Sequence, residues 1–295
     1  DDSYVPAWIG LGRTYANMAG ARLMDPITAY AEARVAAERA LALAPDDPNV
    51  HTMLGWTAHH YDGDYQAAAR HYRRSLALDP NSARNLGGVA ILYRSLGRLE
   101  DAIRLQRRVI YLDPVDAGAF FNLGLTLVMA DDLGAARAAF QKSLDLQPSL
   151  LLARVWMALV DYFEGDYEAA LAGFERLSED TGNELFLHIG RAQVLPKLGQ
   201  AEAGAEALAA VEDGWGQAFA YVIATLHAQN GDPDAAFEWL DRTLEREGPG
   251  GLTDVRIDRL LTRLHDDPRW PTLLEKAGLS VARVESISLP SVACR

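Results

Sequence analysis

Residues 119–148 read AFFNLGLTLVMADDLGAARAAFQKSLDLQP. In the first half of this stretch, apolar and small residues recur at intervals of three and four, which predicts one face of an α-helix. A second stripe with the same spacing follows Asp131 and Asp132 and ends at Pro148, a residue that cannot continue a helix. Two helices joined by about three residues run antiparallel. The stretch therefore predicts a helical hairpin.

Small side chains on both helices predict a close approach of the two helix axes. Gly124 stands on the first helix, and Ala136 and Ser143 stand on the second. Contacts between small residues bring helix axes toward about 8 Å, the short end of the usual range. Phe140 is expected to fill the space that remains beside these residues.

The hairpin pattern recurs along the chain with a period of 34 residues, shortened to 32 at the last step. Glycine marks the turn between the two helices, and Asp131 stands where one glycine is missing. The turn glycines are Gly63, Gly97, Gly165, Gly199 and Gly231. Glycine accepts a positive φ at such a turn, and a following aspartate caps the next helix. A period of this length is typical of stacked repeats, so we expect the chain to bind other molecules rather than transform them.

The repeating residues resemble those of the tetratricopeptide repeat. The family's aromatic-x-x-Leu-Gly-x-x-Tyr opening is matched by Trp8, Leu11, Gly12 and Tyr15. Its Ala…Phe…Ala…Pro second half is matched by Ala136, Phe140, Ser143 and Pro148. This resemblance implies an all-α fold: a right-handed superhelix, or α-solenoid, of about seven helix-turn-helix repeats with a C-terminal helical cap.

The repeat pattern predicts how the chain is divided. The array is expected to cover 1–246, with capping helices at 247–279 and a non-repeat tail at 280–295. The seven predicted repeats are 4–46, 49–80, 83–114, 117–148, 151–180, 185–212 and 217–246. Arg191 and Pro196 make the sixth repeat irregular, because an apolar residue and a helix former are expected at their positions.

The two ends of the array resemble a narrower bacterial group. At the N-terminal end, the likeness lies in the first repeat, which is stretched by about nine residues around Gly20 to Pro26. The C-terminal likeness lies in Ala236–Leu240, Leu261, Asp267–Trp270, Leu273 and Gly278–Leu279. In that group a tetratricopeptide array follows a winged-helix DNA-binding domain, a class III nucleotide cyclase or a protein kinase domain, often with a membrane span between them. None of those domains is present in these residues, so their activities are not assigned to them. The resemblance implies that the sequence is the interaction or sensory part of a larger bacterial regulator.

Composition narrows the classes of partner. The net charge of −13 and the pI near 5.0 argue against attraction of this chain to nucleic acid or to anionic membranes. The sequence contains no run of 18 apolar residues and therefore predicts no membrane span. The single cysteine, Cys294, permits no internal disulfide and leaves the compartment open. The cytoplasm fits, and so does the periplasm if a membrane span precedes the array.

Sequence motifs for catalysis or metal binding are weak in this chain. His59, His60 and His71 lie near one another, but no HExxH or paired-cysteine motif accompanies them. Asp62–Asp64 begins like a calcium loop and lacks the later ligands. Cys294 has no histidine beside it in sequence. We therefore predict no catalytic residue, no metal site and no cofactor, and a chain that is not an enzyme.

The working surface is expected to be the concave groove, which in this family is lined by the first helix of each repeat. Apolar and aromatic residues there suit a peptide or helix of a partner protein. The candidate groove residues are Phe121, Asn122, Leu125, Val128, Met129, Val155, Trp156, Leu159, Tyr162, Phe163, Phe186, Ile189 and Tyr221. The family's two-carboxylate clamp for chaperone C-termini needs Lys, Asn and Arg, and only Asn122 matches, which disfavours that partner class.

Two simpler readings of these residues stay open. The aromatic residues can be buried between neighbouring repeats, or the C-terminal tail, with Val281, Ile287, Leu289 and Val292, can occupy a groove. For function, the sequence predicts a non-catalytic protein–protein interaction module, the sensory or interaction part of a larger bacterial regulator. The alternatives are a regulatory or dimerisation segment of a nucleotide cyclase or kinase, and a homo-oligomeric scaffold, for which a homodimer is the simplest form.

Overall fold

Helices make up the regular structure of this protein. The computed structural model describes residues 2–20 and 23–289, and no strand occurs within these two ranges. The α-helices there are α1 Val5–Gly20, α2 Pro26–Leu43, α3 Pro48–His60, α4 Tyr65–Leu78, α5 Ala83–Ser95, α6 Leu99–Leu112, α7 Ala117–Met129, α8 Leu133–Leu146, α9 Leu151–Glu164, α10 Tyr167–Thr181, α11 Glu184–Val194, α12 Ala201–Trp215, α13 Ala220–Asn230, α14 Pro233–Glu247, α15 Trp270–Lys276 and α16 Val281–Ser286. Short 3-10 turns cover Leu195–Leu198, Pro249–Leu252 and Arg259–Leu264. The predicted all-α solenoid fold is confirmed.

The chain forms two compact units. The first contains the chain up to Leu112, together with Thr243–Arg256 and the chain from Pro268 onward. The second contains Asp113–Arg242 and Ile257–Asp267. The stretch after α14 is therefore divided between them, since residues 248–256 belong to the first unit and residues 257–267 to the second.

The turns between paired helices have the predicted chemistry. Asp131 has a φ of 64°, and among the described residues it is the one non-glycine with a positive φ. At the equivalent turns Gly63, Gly97, Gly165, Gly199 and Gly231 have φ values of 60° to 84°. Asp132 caps α8 by accepting a hydrogen bond of 3.1 Å from the amide of Ala135. The Asp-Gly-Asp sequence of the first such turn is thus a helix connection, because Asp64 caps α4 in the same way.

The α7–α8 hairpin shows why small residues recur. Phe140 is fully buried, and a methyl group added at Gly124 would lie 2.5 Å from its ring. The hydroxyl of Ser143 donates a hydrogen bond of 2.7 Å to the carbonyl of Ala117, which joins the two helices. The predicted close packing around Phe140 is confirmed.

Alanine substitutions at two glycines of this hairpin should change the free energy of unfolding in opposite directions. Gly124→Ala is expected to lower the free energy of unfolding by about 1–3 kcal/mol, because the new methyl group overlaps the buried ring of Phe140. Gly134→Ala is expected to raise it by about 0.5–1 kcal/mol, because nothing lies within 4 Å of the added atom and alanine favours a helix. Urea unfolding followed by circular dichroism measures both. Equal effects of the same sign would contradict this packing.

The C-terminal helices α15 and α16 belong to the first unit. Gly278 passes so close to the α3–α4 turn that a methyl group there would lie 2.9 Å from the carbonyl oxygen of Gly63. The side chain of Arg73 in α4 donates a hydrogen bond to the carbonyl of Ser288. Of the predicted tail, Val281 is exposed, while Val292 and Cys294 lie outside the described residues. The division into seven repeats, cap and tail stays a prediction.

Each helix in the described ranges is too short or too polar to cross a lipid bilayer.

Candidate partner-binding face

The candidate groove residues all lie in the second unit, on its first helices α7, α9, α11 and α13. Three of them are buried, namely Val128, Leu159 and Tyr162. The other members of the set are half-buried: Phe121, Asn122, Leu125, Met129, Val155, Trp156, Phe163, Phe186, Ile189 and Tyr221. Each half-buried side chain thus packs on the protein and also meets solvent.

Phe140 supports two of the half-buried aromatic residues. The ring of Phe121 in α7 lies 5.9 Å from that of Phe140, and the ring of Trp156 in α9 lies 6.4 Å from it, centroid to centroid. Because Phe140 is fully buried, it fixes the positions of both neighbours. The two aromatic residues of successive repeats are therefore held by one core side chain.

A second group of candidate residues rests on the core between α9, α10 and α11. The buried part of this core consists of Ala158, Leu159, Phe174 and Leu177. The half-buried candidates that pack against it are Val155, Trp156, Phe163, Phe186 and Ile189. These candidates serve the packing between repeats, as one of the simpler readings expects, and they also keep part of their surface in solvent.

The other end of the candidate face contacts residues 257–267 of the same unit. The guanidinium of Arg259 donates a hydrogen bond of 3.1 Å to the carbonyl of Val128 and lies 4.7 Å from the ring centroid of Phe163. The same side chain pairs with the carboxylate of Asp131. Arg259 thus binds the C-terminal end of α7, where negative partial charge accumulates.

Asp258 and Leu260, on either side of this arginine, contact α9, α11 and α13. Tyr221 donates a hydrogen bond of 2.7 Å to the Asp258 carboxylate. Leu260 packs into a buried cluster with Tyr162 and Val194.

Gln229 of α13 joins the backbone of this segment to α9. Its amide donates to the carbonyl of Leu260 at 2.5 Å, and its own carbonyl oxygen accepts a hydrogen bond of 3.0 Å from the Tyr162 hydroxyl. Burial raises the pKa of Tyr162 above its ordinary value. The phenol therefore stays neutral at physiological pH and acts as a donor here.

Contacts of residues 257–267 with the candidate face could not be foreseen from the sequence. The spacing of Ile257, Leu260, Leu261 and Leu264 indicates an amphipathic helix, whereas Arg259–Leu264 forms a 3-10 turn. Four candidate groove residues are contacted by this segment: Val128, Tyr162, Phe163 and Tyr221. No local pattern marks a segment that packs on helices more than 30 residues away in sequence, as Leu260 does on Tyr162.

The polar candidate Asn122 uses its side chain within its own helix. Its amide donates a hydrogen bond of 2.9 Å to the carbonyl of Gly118, one turn earlier. Within the described ranges, no group of three or more His, Cys, Asp or Glu side chains is arranged to hold a metal ion.

Comparison with protein families identifies the repeats. Three family models, each described as tetratricopeptide repeat, match residues 59–123, residues 29–83 and 189–251, and residues 117–150. Among curated relatives, the chain is 34% identical over 79 residues to the Protein CTR9 homolog of Arabidopsis thaliana, covering 27% of this chain and 7% of that protein. It is 26% identical over 229 residues to the Cellulose synthase operon protein C of Xanthomonas axonopodis pv. citri (strain 306), covering 77% of this chain and 13% of that protein. The chain therefore spans a small part of the length of these relatives.

Comparison with solved structures supports the fold. A tetratricopeptide repeat protein from Parabacteroides merdae ATCC 43184 superposes with a TM-score of 0.59 at 17% identity, covering 88% of this chain and 100% of that one. The PilF protein of Pseudomonas aeruginosa superposes with a TM-score of 0.54 at 21% identity, covering 72% of this chain and 91% of that one. At such identities the likeness shows the fold alone. The family matches, in contrast, identify repeats of the type that forms protein–protein interaction modules, and the chain belongs to the tetratricopeptide repeat family.

Proposed function

We propose that the second unit binds a peptide or helix of a partner protein on the face formed by α7, α9 and α11. The observation that carries this proposal is the pair Phe121 and Trp156, two half-buried aromatic side chains of successive first helices that share the buried ring of Phe140. Large aromatic residues held in place dominate the energy of many protein interfaces. Because their positions are preset, little side-chain entropy is lost on binding.

The partner is expected to bind beside residues 257–267 rather than in their place. Leu260, Leu261 and Leu264 of that segment are between 0% and 7% exposed. Exposing each of them would cost about 1.5–3 kcal/mol. A partner that removed the whole segment would need to offset this loss before gaining any affinity. The part of the face open to a partner therefore includes Phe121, Leu125, Val155, Trp156, Phe186 and Ile189.

We propose that these residues are the interaction or sensory part of a larger bacterial regulator and that they have no catalytic activity themselves. Its support is the likeness of the two ends of the array to such regulators and the far greater length of the curated relatives. A regulatory or dimerisation segment of a cyclase or kinase, and a homo-oligomeric scaffold, are the alternatives. A mass that rises with concentration in light scattering would favour the scaffold.

Peptide selection provides the test of the binding face. We expect a random peptide library selected on this protein to yield sequences with two apolar anchors spaced by three or four residues. Trp156→Ala or Phe121→Ala should weaken binding of a selected peptide by about 30-fold, the loss typical of an interface residue worth about 2 kcal/mol. Isothermal titration calorimetry measures the affinity, and circular dichroism establishes that each variant is folded.

The matched control is Tyr111→Ala, which removes an aromatic side chain that is 85% exposed on α6. It should leave the affinity unchanged. Selected peptides that bind the Trp156→Ala and Phe121→Ala variants as tightly as the original protein would overturn the proposed face.

A further inference from the structure

Two adjacent histidines are enclosed at the C-terminal end of α3, in the first unit. His59 is fully buried and His60 is half-buried, and their ring centroids are 4.2 Å apart. In the part of the chain that the structure describes, neither ring nitrogen of His59 nor Nε2 of His60 has a hydrogen-bond partner. A buried imidazole without hydrogen-bond partners is held as a neutral group, because burial disfavours its charged form.

Two aromatic rings and one ion pair lie beside the two histidines. Trp56 of α3 lies 4.6 Å from His60, and Tyr65 of α4 meets His59 edge-on at 5.3 Å, ring centroid to ring centroid. The guanidinium of Arg94 in α5, itself buried, pairs with Asp254 at 3.0 Å. The charges beside the histidines are thus one cation and one carboxylate that already neutralise each other.

Asp254 belongs to residues 248–256, which lie directly on the end of α3. A methyl group added at Gly250 would be 2.1 Å from the carbonyl oxygen of His60. A methyl group added at Gly63, in the turn after α3, would be 2.4 Å from Pro249. Gly248, where the segment begins, has a φ of 67°. The segment is therefore docked backbone to backbone, with no room for a side chain between it and α3.

Asp254 fastens this segment to α5 through both carboxylate oxygens. One accepts from Arg94, and the other accepts a hydrogen bond of 2.7 Å from the hydroxyl of Ser95. Burial alone would raise the pKa of Asp254, but Arg94, Ser95 and His60 together lower it below its ordinary value. The carboxylate therefore stays charged in mild acid, and this attachment does not titrate there.

We propose that residues 248–256 form an acid-sensitive latch on the first unit: they stay docked on α3 and α5 while His59 and His60 are neutral, and they detach when these histidines gain protons. Protonation in the docked state would place a second cation beside Arg94 in an enclosed site. In the open state water solvates the imidazolium, and the carbonyls at the end of α3 stabilise it further. The proton therefore binds the open state better.

The direction of the pH effect follows from the same contacts. Burial, with the charge of Arg94, lowers the pKa of His60 to about 4 despite the opposing charge of Asp254, and burial lowers that of His59 well below its ordinary value near 6.5. The docked state is therefore fully stable above pH 6.5 and loses stability as the pH falls toward 4. For His60 alone, a change in pKa from 6.5 to about 4 raises the opening constant about 30-fold between pH 7.5 and pH 5.

Hydrogen exchange of the whole chain, corrected for the intrinsic rate at each pH, tests the latch. Two amides within the segment are hydrogen-bonded: Gly251 donates to Gly248 and Val255 donates to Leu252, both at 3.1 Å. We expect their opening constants to rise about 30-fold from pH 7.5 to pH 5. The amide of Leu261, in the second unit, should not change. An unchanged segment, or a parallel rise at Leu261, would overturn the proposal.

Substitutions distinguish titration of these histidines from other effects of acid. His60→Phe and the double variant His59→Phe/His60→Phe retain a ring and remove the titrating group, so the acid response should disappear. His60→Gln is a second neutral variant if the aromatic replacement disturbs folding. The control is His71→Phe, which removes another histidine of the first unit whose pKa is lowered by burial. The His71→Phe variant should keep the acid response. A response that is lost in His71→Phe but persists in the His60 variants would refute the latch.

Discussion

Replacement of Phe140 by alanine is expected to lower the free energy of unfolding by about 3–5 kcal/mol, because the ring is fully buried and its removal leaves a cavity. The variant should also lose affinity for peptides selected on the original protein. Phe121 and Trp156 both pack on this ring and would lose their common support. Urea unfolding and calorimetric titration measure the two effects.

The comparison that isolates burial is Tyr111→Ala, an aromatic truncation at a position that is 85% exposed. Its unfolding free energy should stay within about 0.5 kcal/mol of the original. A Phe140→Ala protein that keeps its stability would show that the α7–α8 core differs from the one described. A Phe140→Ala protein that loses stability but binds the selected peptides with unchanged affinity would show that the proposed face does not depend on the Phe140 ring.

Replacement of Leu260 by alanine is expected to have the next largest effect, about 2–5 kcal/mol. Leu260 is buried with Tyr162, Ala170 and Val194, so its truncation opens a cavity between residues 257–267 and three helices. Exchange of the Leu261 amide should accelerate as the segment loosens. Urea unfolding and hydrogen exchange of the second unit report the two changes.

The same leucine-to-alanine change at Leu152, which is 55% exposed on α9, provides the control and should alter stability by about 0.5 kcal/mol at most. If the binding face lies beside residues 257–267, peptides selected on the original protein should bind folded Leu260→Ala with unchanged affinity. A gain in affinity would show that the segment competes with the partner. Equal stability of the Leu152→Ala and Leu260→Ala proteins would contradict the described contacts of Leu260.

The helices that carry the candidate residues were predictable from the sequence. Phe121, Trp156 and Phe186 lie on first helices as expected, and their half-buried side chains fit both packing between repeats and contact with a partner. Val128 and Tyr162 are buried, and residues 257–267 contact the backbone carbonyl of Val128 and the side chain of Tyr162, which helix position alone does not reveal. Whether the remaining surface binds a partner stays a prediction.

The surroundings of His59 and His60 could not be predicted from the sequence. Three histidines, His59, His60 and His71, lie close together in sequence, yet the environment of His60 depends on Arg94 and Asp254. Asp254 is separated from His60 by 194 positions in the chain. No spacing rule connects residues so far apart, and the polarity of Asp254 alone suggests an exposed site.

Local physics explains what could be derived from the amino acids. A helical hairpin is specified within about 30 residues by apolar periodicity, a positive-φ turn and an aspartate cap, and the array follows because each hairpin has an apolar side that only a neighbour can bury. The path of residues 248–267 was decided by tertiary structure. Its docking depends on backbone surfaces and helix ends that exist only after the repeats have stacked, such as the carbonyls of His60 and Val128. Such contacts produce no repeating pattern in the sequence, because each of them occurs only once in the structure.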